Sequence, residues 1–275
     1  MPTFVSDDAV TLRYHHEPSE RSGSTPVLVV PGGPCRGVEY LAGLAETTGG
    51  RDLVVLHPRG TPTTGGLSRG WWRDAADVVA LADHLGLAEV DVLAHSAGTR
   101  LALAAAVQHS ARVRSLLLVT PPATWLTGTA DDGEQLARAR HDPLVDAAVD
   151  SLLGPPPADD DEFQRRWMVE APAGYARWGE AERAHAGLGA VSLPAARAWF
   201  RDVPPDAADR VRAGVRSPVL VVGGAADAMT GVAPVESYAA ALGADLVMLP
   251  DCGHYPWVEQ PAALSAAVAP WLRRT

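Results

Sequence analysis

Seven short apolar runs return along the chain, at residues 9–14, 27–30, 53–56, 90–93, 116–119, 219–222 and 246–249, with helical stretches between them. Runs of this length, bounded by Gly, Pro, Asp and Ser, read as buried strands. Between two of them, residues 71–85 place Ala75, Val78, Val79, Ala82 and Leu85 at the i, i+3, i+4 spacing of a helix with one buried face. Strands that alternate with helices need crossover connections, so the pattern predicts a mainly parallel sheet covered on both sides. The rhythm breaks over residues 121–215, which are rich in Arg, Asp, Glu and Pro and include Gly154-Pro155-Pro156-Pro157 followed by Asp159-Asp160-Asp161-Glu162. This stretch is expected to be a helical cap, inserted after the sixth core strand into a core formed by residues 1–120 and 216–275.

The segment from Val90 to Leu103 carries the first chemistry. An apolar strand runs into His95-Ser96-Ala97-Gly98 and then directly into a helix rich in Ala and Leu. Small residues at Ala94 and Gly98 let the chain fold back tightly. The Ser96 hydroxyl would then stand clear of the backbone, with the Ala97 N–H beside it at the helix start. A helix N-cap is the plainer reading of the same serine.

Two later segments repeat the design. Ser217 to Asp227 reads as a short strand that ends in glycines and delivers Asp227 just past its carboxyl end, and Val247 to Trp257 reads as a strand followed by a Gly253-containing loop that presents His254. Asp251 is a rival acid three residues before the histidine, in a position that suits a solvated loop. Ser, Asp and His in that order, each after its own strand, are the order of α/β-hydrolase triads.

These residue types have a reason to be together. A serine hydroxyl is a weak nucleophile near neutrality, so an imidazole must take its proton during attack and return it to the leaving group. A buried carboxylate fixes the imidazole tautomer and stabilises the imidazolium. Two backbone N–H groups must meet the oxyanion. One would come from Ala97, the other from the glycine-bearing loop Pro31-Gly32-Gly33-Pro34-Cys35, in which the prolines lack an N–H and leave Gly32, Gly33 and Cys35 as donors.

Across nearly its whole length the chain resembles the α/β-hydrolase superfamily, and within it the prolyl aminopeptidase-like branch, through Pro31-Gly32-Gly33-Pro34, Arg59-Gly60, His95-Ser96-Ala97-Gly98, Gly223 to Asp227 and Gly253-His254. The resemblance implies an α/β-hydrolase fold, a catalytic set of Ser96, Asp227 and His254, and an oxyanion hole of Ala97 and the second loop glycine, Gly33. The chain departs from the branch at Pro31, where a histidine is usual, at Cys35, where a glycine is usual, and at His57, where an aspartate is usual. These changes imply a remodelled entrance to the site.

For the substrate pocket the candidates are Gly32, Cys35, His95 and Tyr255, which flank the proposed machinery, and the aromatics Trp125, Trp167 and Trp199 of the cap. Tyr175, Trp178 and Phe200 belong to the same aromatic set, and any one of the six can equally serve to pack the cap onto the core. Cys35 reads more simply as a small buried hydrophobe. The remaining histidines, His15, His16, His57, His84, His109, His141 and His185, read as surface or structural groups. Glu170 stands in apolar company and reads as helix-surface charge, although cap glutamates of the peptidase branch bind the substrate's amino group.

Other functions find little support. The histidines are dispersed, Cys35 and Cys252 lack ligand spacing, and no phosphate-loop motif exists in a chain without a single lysine. With 23 basic and 33 acidic side chains the formal charge is −10, which disfavours nucleic acid or an anionic membrane as partner. No signal-like N-terminus and no span-length apolar run is present, so the chain reads as a cytoplasmic protein with a small-molecule substrate and no cofactor. The expected activity is a serine hydrolase acting on an ester, thioester or amide. Prolyl aminopeptidase, a biosynthetic cyclase, lyase or C–C hydrolase on the same triad, and a ligand-binding receptor on a hydrolase scaffold are the alternatives.

Overall fold

A computed structural model describes residues 1–19 and 25–274. Eight strands form one sheet: β1 (Thr3–Val5), β2 (Thr11–Glu17), β3 (Val27–Val30), β4 (Leu53–His57), β5 (Val90–His95), β6 (Val113–Val119), β7 (Val219–Gly224) and β8 (Asp245–Leu249). Their spatial order is β1-β2-β4-β3-β5-β6-β7-β8. The first two strands pair antiparallel, and β2 pairs antiparallel with β4. From β4 through β8 every pairing is parallel.

The strands read as continuous apolar runs because both faces are covered. Leu28, Val30, Val92, Ala94, Leu116 and Leu118 join a core with α1 (Trp71–His84) and α2 (Gly98–Gln108) on one side. Their alternating neighbours Val27, Val29, Leu93, Leu117 and Val119 pack on the other side with Tyr40 and with Leu264, Val268 and Trp271 of the C-terminal helix. The first strand, β1, escaped sequence reading because three residues carry almost no periodic signal. The second begins at Thr11 instead of residue 9, since Ala9 lies in a left-handed turn at φ 64°.

Between β6 and β7 the chain is helical, with α3 (Thr124–Thr127), α4 (Gly133–Arg138), α5 (Pro143–Leu153), α6 (Asp160–Glu170), α7 (Glu180–Ala186), α8 (Leu193–Trp199) and α9 (Ala207–Gly214). Asp142 and Asp159 begin α5 and α6 by accepting from the backbone N–H groups of Leu144 and Glu162. Three helices follow: α10 (Ala233–Leu242), α11 (Pro256–Glu259) and α12 (Pro261–Arg274). Among the described residues no helix is long and apolar enough to cross a membrane.

Candidate active site

The turn between β5 and α2 consists of Ser96 and Ala97. Ser96 is held at φ 48°, the left-handed region that costs a residue with a Cβ about 1–2 kcal/mol. Its backbone is pinned on both sides: the N–H donates to Val119 C=O at 2.9 Å, and the C=O accepts from Thr99 N–H at 2.9 Å. Gly98 is required because a Cβ there would overlap the carbonyl oxygens of Val30 and Pro31. The end of β3 therefore approaches the start of α2 closely. Gly32 makes the same approach from the loop side, where a Cβ would come within 2.8 Å of Ser96 Cβ.

Asp227 lies just beyond β7 with no exposed surface. Its carboxylate accepts from Met229 N–H at 2.9 Å, from Thr230 Oγ1–H at 2.6 Å and from His254 Nδ1–H at 2.8 Å. The histidine's donor nitrogen is thus assigned by its partner, and Nε2 is left as the acceptor. Asp251, the rival acid, is exposed. The loop carrying His254 is anchored by Gly253 N–H on Glu259 at 2.7 Å and by His254 N–H on Gly174 C=O at 2.7 Å.

Behind the turn runs a second chain of hydrogen bonds. Gly32 N–H donates to Tyr40 Oη at 2.6 Å, Tyr40 Oη–H to His95 Nδ1 at 3.0 Å, and His95 Nε2–H to the carbonyl of His254 at 3.0 Å. Burial, reinforced by the neighbouring His254, holds His95 well below the ordinary histidine pKa, so it stays neutral and keeps this tautomer. The β3 loop, the serine turn and the histidine loop are therefore tied together by two buried side chains.

Ser96 and His254 line one cavity of about 320 Å³. Gly33 and Pro34 line it on the side of β3, His95 and Tyr255 line it beside the two site loops, and Phe163, Trp167 and Phe200 line it from the segment between β6 and β7. The N–H groups of Gly33 and Ala97 donate to no described residue. Of the pocket candidates read from sequence, His95, Trp167 and Tyr255 are on this wall. Trp125 and Trp199 are not: Trp125 packs edge-on against Trp71 at 5.4 Å, and Trp199 is 1% exposed in the core shared with α1 and α2. Both pack into the core that α1 and α2 share, where apolar rings lose most of their contact with water. Cys35 also faces away, its Sγ toward Ala195 C=O at 3.6 Å, with burial pushing its thiol up to about 12. Gly32 serves from behind as a donor to Tyr40.

Sequence reading missed Arg36, Tyr40, Phe163 and Met229 on the cavity wall. Arg36 had a signal, since it directly follows the glycine-bearing loop. Phe163, on the short amphipathic helix α6, had none.

Residues 25–261 match the family described as the alpha/beta hydrolase fold. Among solved structures, an esterase from Rhodococcus is 21% identical, with a TM-score of 0.76 over 99% of this chain and 98% of that one. An esterase from Exiguobacterium antarcticum is 14% identical, with a TM-score of 0.73 over 98% of both chains. A thermophilic esterase from Thermogutta terrifontis is 21% identical, with a TM-score of 0.65 over 99% of this chain and 98% of that one. No curated protein matches the sequence. With an eight-stranded, mostly parallel sheet and a family match that spans most of its length, this chain belongs to the alpha/beta hydrolase fold family.

Proposed function

We propose that the chain is a serine hydrolase that cleaves an ester, thioester or amide of a small to medium, partly apolar molecule through an acyl-enzyme. Ser96 Oγ attacks the carbonyl carbon, and His254 Nε2 takes its proton and then returns it to the leaving group. Asp227 holds the imidazole by Nδ1 and stabilises its cationic form. The oxyanion is received by the backbone N–H groups of Gly33 and Ala97. Water repeats the attack on the acyl-enzyme with His254 as base. The inserted helices act as a cap whose aromatic rings cover the acyl group.

One observation carries this reading. Ser96 and His254 face the same cavity, and the other ring nitrogen of His254 is committed to a carboxylate with no exposed surface. The esterase neighbours favour an ester over an amide as the bond cleaved. A prolyl aminopeptidase needs an acid to hold a free amino group. No described residue on the cavity wall is acidic; Glu170 lines an adjoining hollow, which shares Arg36, Trp167, Met229 and Tyr255 with the cavity, and there it accepts from Ser151 Oγ–H at 2.8 Å.

A fluorophosphonate probe tests the proposal: the purified protein should label, and Ser96→Ala should not. Labelling that survives the substitution, or its absence in the unaltered chain, removes the nucleophile. Turnover of short-chain p-nitrophenyl esters without release of amine from a proline arylamide separates the esterase from the peptidase.

A further inference from the structure

Arg36 is 1% exposed, yet it lines the cavity beside Ser96. A buried guanidinium is ordinarily matched by a carboxylate, because an uncompensated charge in the interior is costly. Arg36 has none at ion-pair distance among the described residues. Its Nε–H donates to Leu188 C=O at 2.9 Å, and Nη2 donates to Leu188 C=O at 2.6 Å and Ala186 C=O at 3.1 Å. This edge of the fork latches the β3 loop to the chain after α7. The rings of Tyr40 and Trp167 lie 4.5 and 5.0 Å from its central carbon. Carbonyl dipoles and ring faces soften the charge without neutralising it.

The remaining corner of the guanidinium is different. Nη1 carries two hydrogens, of which one goes to Tyr255 Oη at 3.1 Å. That hydroxyl accepts from Arg36 and so keeps its own hydrogen to give, and among the described residues nothing accepts it. The residues that carry these two adjacent donors, one of them a cation, both line the cavity that holds Ser96 and His254, and both also line the adjoining hollow that Glu170 borders. The ring of Tyr255 lies 5.1 Å from that of His254, so a group bound there sits one short chain away from the reacting carbonyl. The wall carries no carboxylate, in a chain whose formal charge is −10.

We propose that this cavity selects esters that carry a free carboxylate, received by Arg36 Nη1 and Tyr255 Oη, and the proposal rests on the hydrolase reading above. Charge-assisted hydrogen bonds of this kind are the strong ones, and an arginine corner presents them in fixed geometry. An incoming carboxylate would supply the counter-charge that the fold leaves out.

The test compares release of methanol from monomethyl glutarate and from methyl valerate, which share a carbon count and differ in the terminal carboxylate. At neutral pH kcat/KM should favour the monoanion by about tenfold or more. Arg36→Met should bring the ratio near unity, and Tyr255→Phe should lower it several-fold. A ratio at or below unity in the unaltered chain, or one that neither substitution moves, overturns the proposal. Because Arg36 also latches the loop, its variant can fail to fold, and Tyr255→Phe then decides the question. If neither ester is turned over, the hydrolase reading fails separately. Calorimetric titration of the Ser96→Ala chain with glutarate then tests the subsite by itself: saturable binding that Tyr255→Phe weakens supports it, and no binding refutes it.

Discussion

Two arginines follow neighbouring strands, both almost fully buried, and their surroundings differ in kind. Arg59, after β4, meets Asp77 through Nε at 2.8 Å and Nη2 at 2.9 Å, and Asp8 through Nη1 at 2.8 Å and Nη2 at 2.9 Å. Ser6 donates to the same Asp77, and Arg69 joins through Asp74 at 2.9 Å. Each of the three guanidinium nitrogens of Arg59 donates to a carboxylate, and the cluster ties the N-terminal hairpin to the start of α1. Arg36, after β3, ends on carbonyls, rings and one hydroxyl, beside a strained serine and backbone N–H groups that donate to no described residue. Closed networks of charge build architecture. Around Ser96, by contrast, open backbone donors and a strained turn lie together beside a guanidinium without a carboxylate.

The sharpest way to break that division is to relieve the strain. Ser96→Gly removes the nucleophile and the Cβ that the left-handed backbone disfavours. Activity on a small ester should fall by roughly 10⁴-fold or more, with stability raised by about 1 kcal/mol. Loss of activity together with loss of stability would mean that the turn is ordinary architecture.

Arg59→Met should do the reverse. Removing one partner of a buried cluster leaves uncompensated carboxylates and costs about 3–5 kcal/mol, readable as a fall in the urea midpoint. The fraction still folded should keep its kcat/KM within a few-fold. A large loss of kcat/KM at full folding would join the two regions that the geometry separates.

These contrasts also explain what the sequence disclosed. That Ser96, Asp227 and His254 lie on loops after three different strands was legible, because a short apolar run followed by Gly or a small residue is a local pattern. The mainly parallel character of the sheet was legible for the same reason, through strand and helix periodicity. The cavity wall was not. Trp125, Trp167 and Trp199 look alike in sequence, and only the tertiary packing of α6 and α8 sends Trp167 to the cavity and Trp199 to the core. Arg36 and Arg59 look alike too. Their difference lies in Asp8 and Asp77, far along the chain from Arg59, while among the described residues no acid comes within ion-pair distance of Arg36.

Acid stability gives a finer separation of the two regions. His57, at the end of β4, is held down to about 4 by burial and by His15, whose Nδ1 lies 2.7 Å from it. His185, beside the Arg36 latch, is held down to about 4 by burial. Both take up protons near 6.5 once unfolded, so between about 6.5 and 4 the unfolded chain binds more protons and stability falls with pH. The slope should be on the order of 1 kcal/mol per pH unit or less for each. Replacing His57 by Gln should flatten part of this fall in urea titrations and leave ester turnover alone. A slope that His57→Gln does not alter would place the whole acid sensitivity on the cavity side.

The smallest effect is expected at Cys35, which shares the β3 loop with Arg36 but takes no part in the cavity wall. Its φ of 60° is the conformation that glycine adopts without strain, and its thiol is buried at 3% exposure against α8. Cys35→Gly relieves about 1 kcal/mol of backbone strain, while losing a small buried side chain and gaining freedom in the unfolded chain costs a similar amount. The opposing terms leave the melting temperature within a few degrees of its starting value. Because the thiol is pushed up to about 12 by burial, it stays protonated, and ester turnover should not depend on it. A stability loss of several kcal/mol would show that the loop is held by the packing of Cys35 on α8 more than by the Arg36 latch, and the loop would then belong with the closed architecture around Arg59.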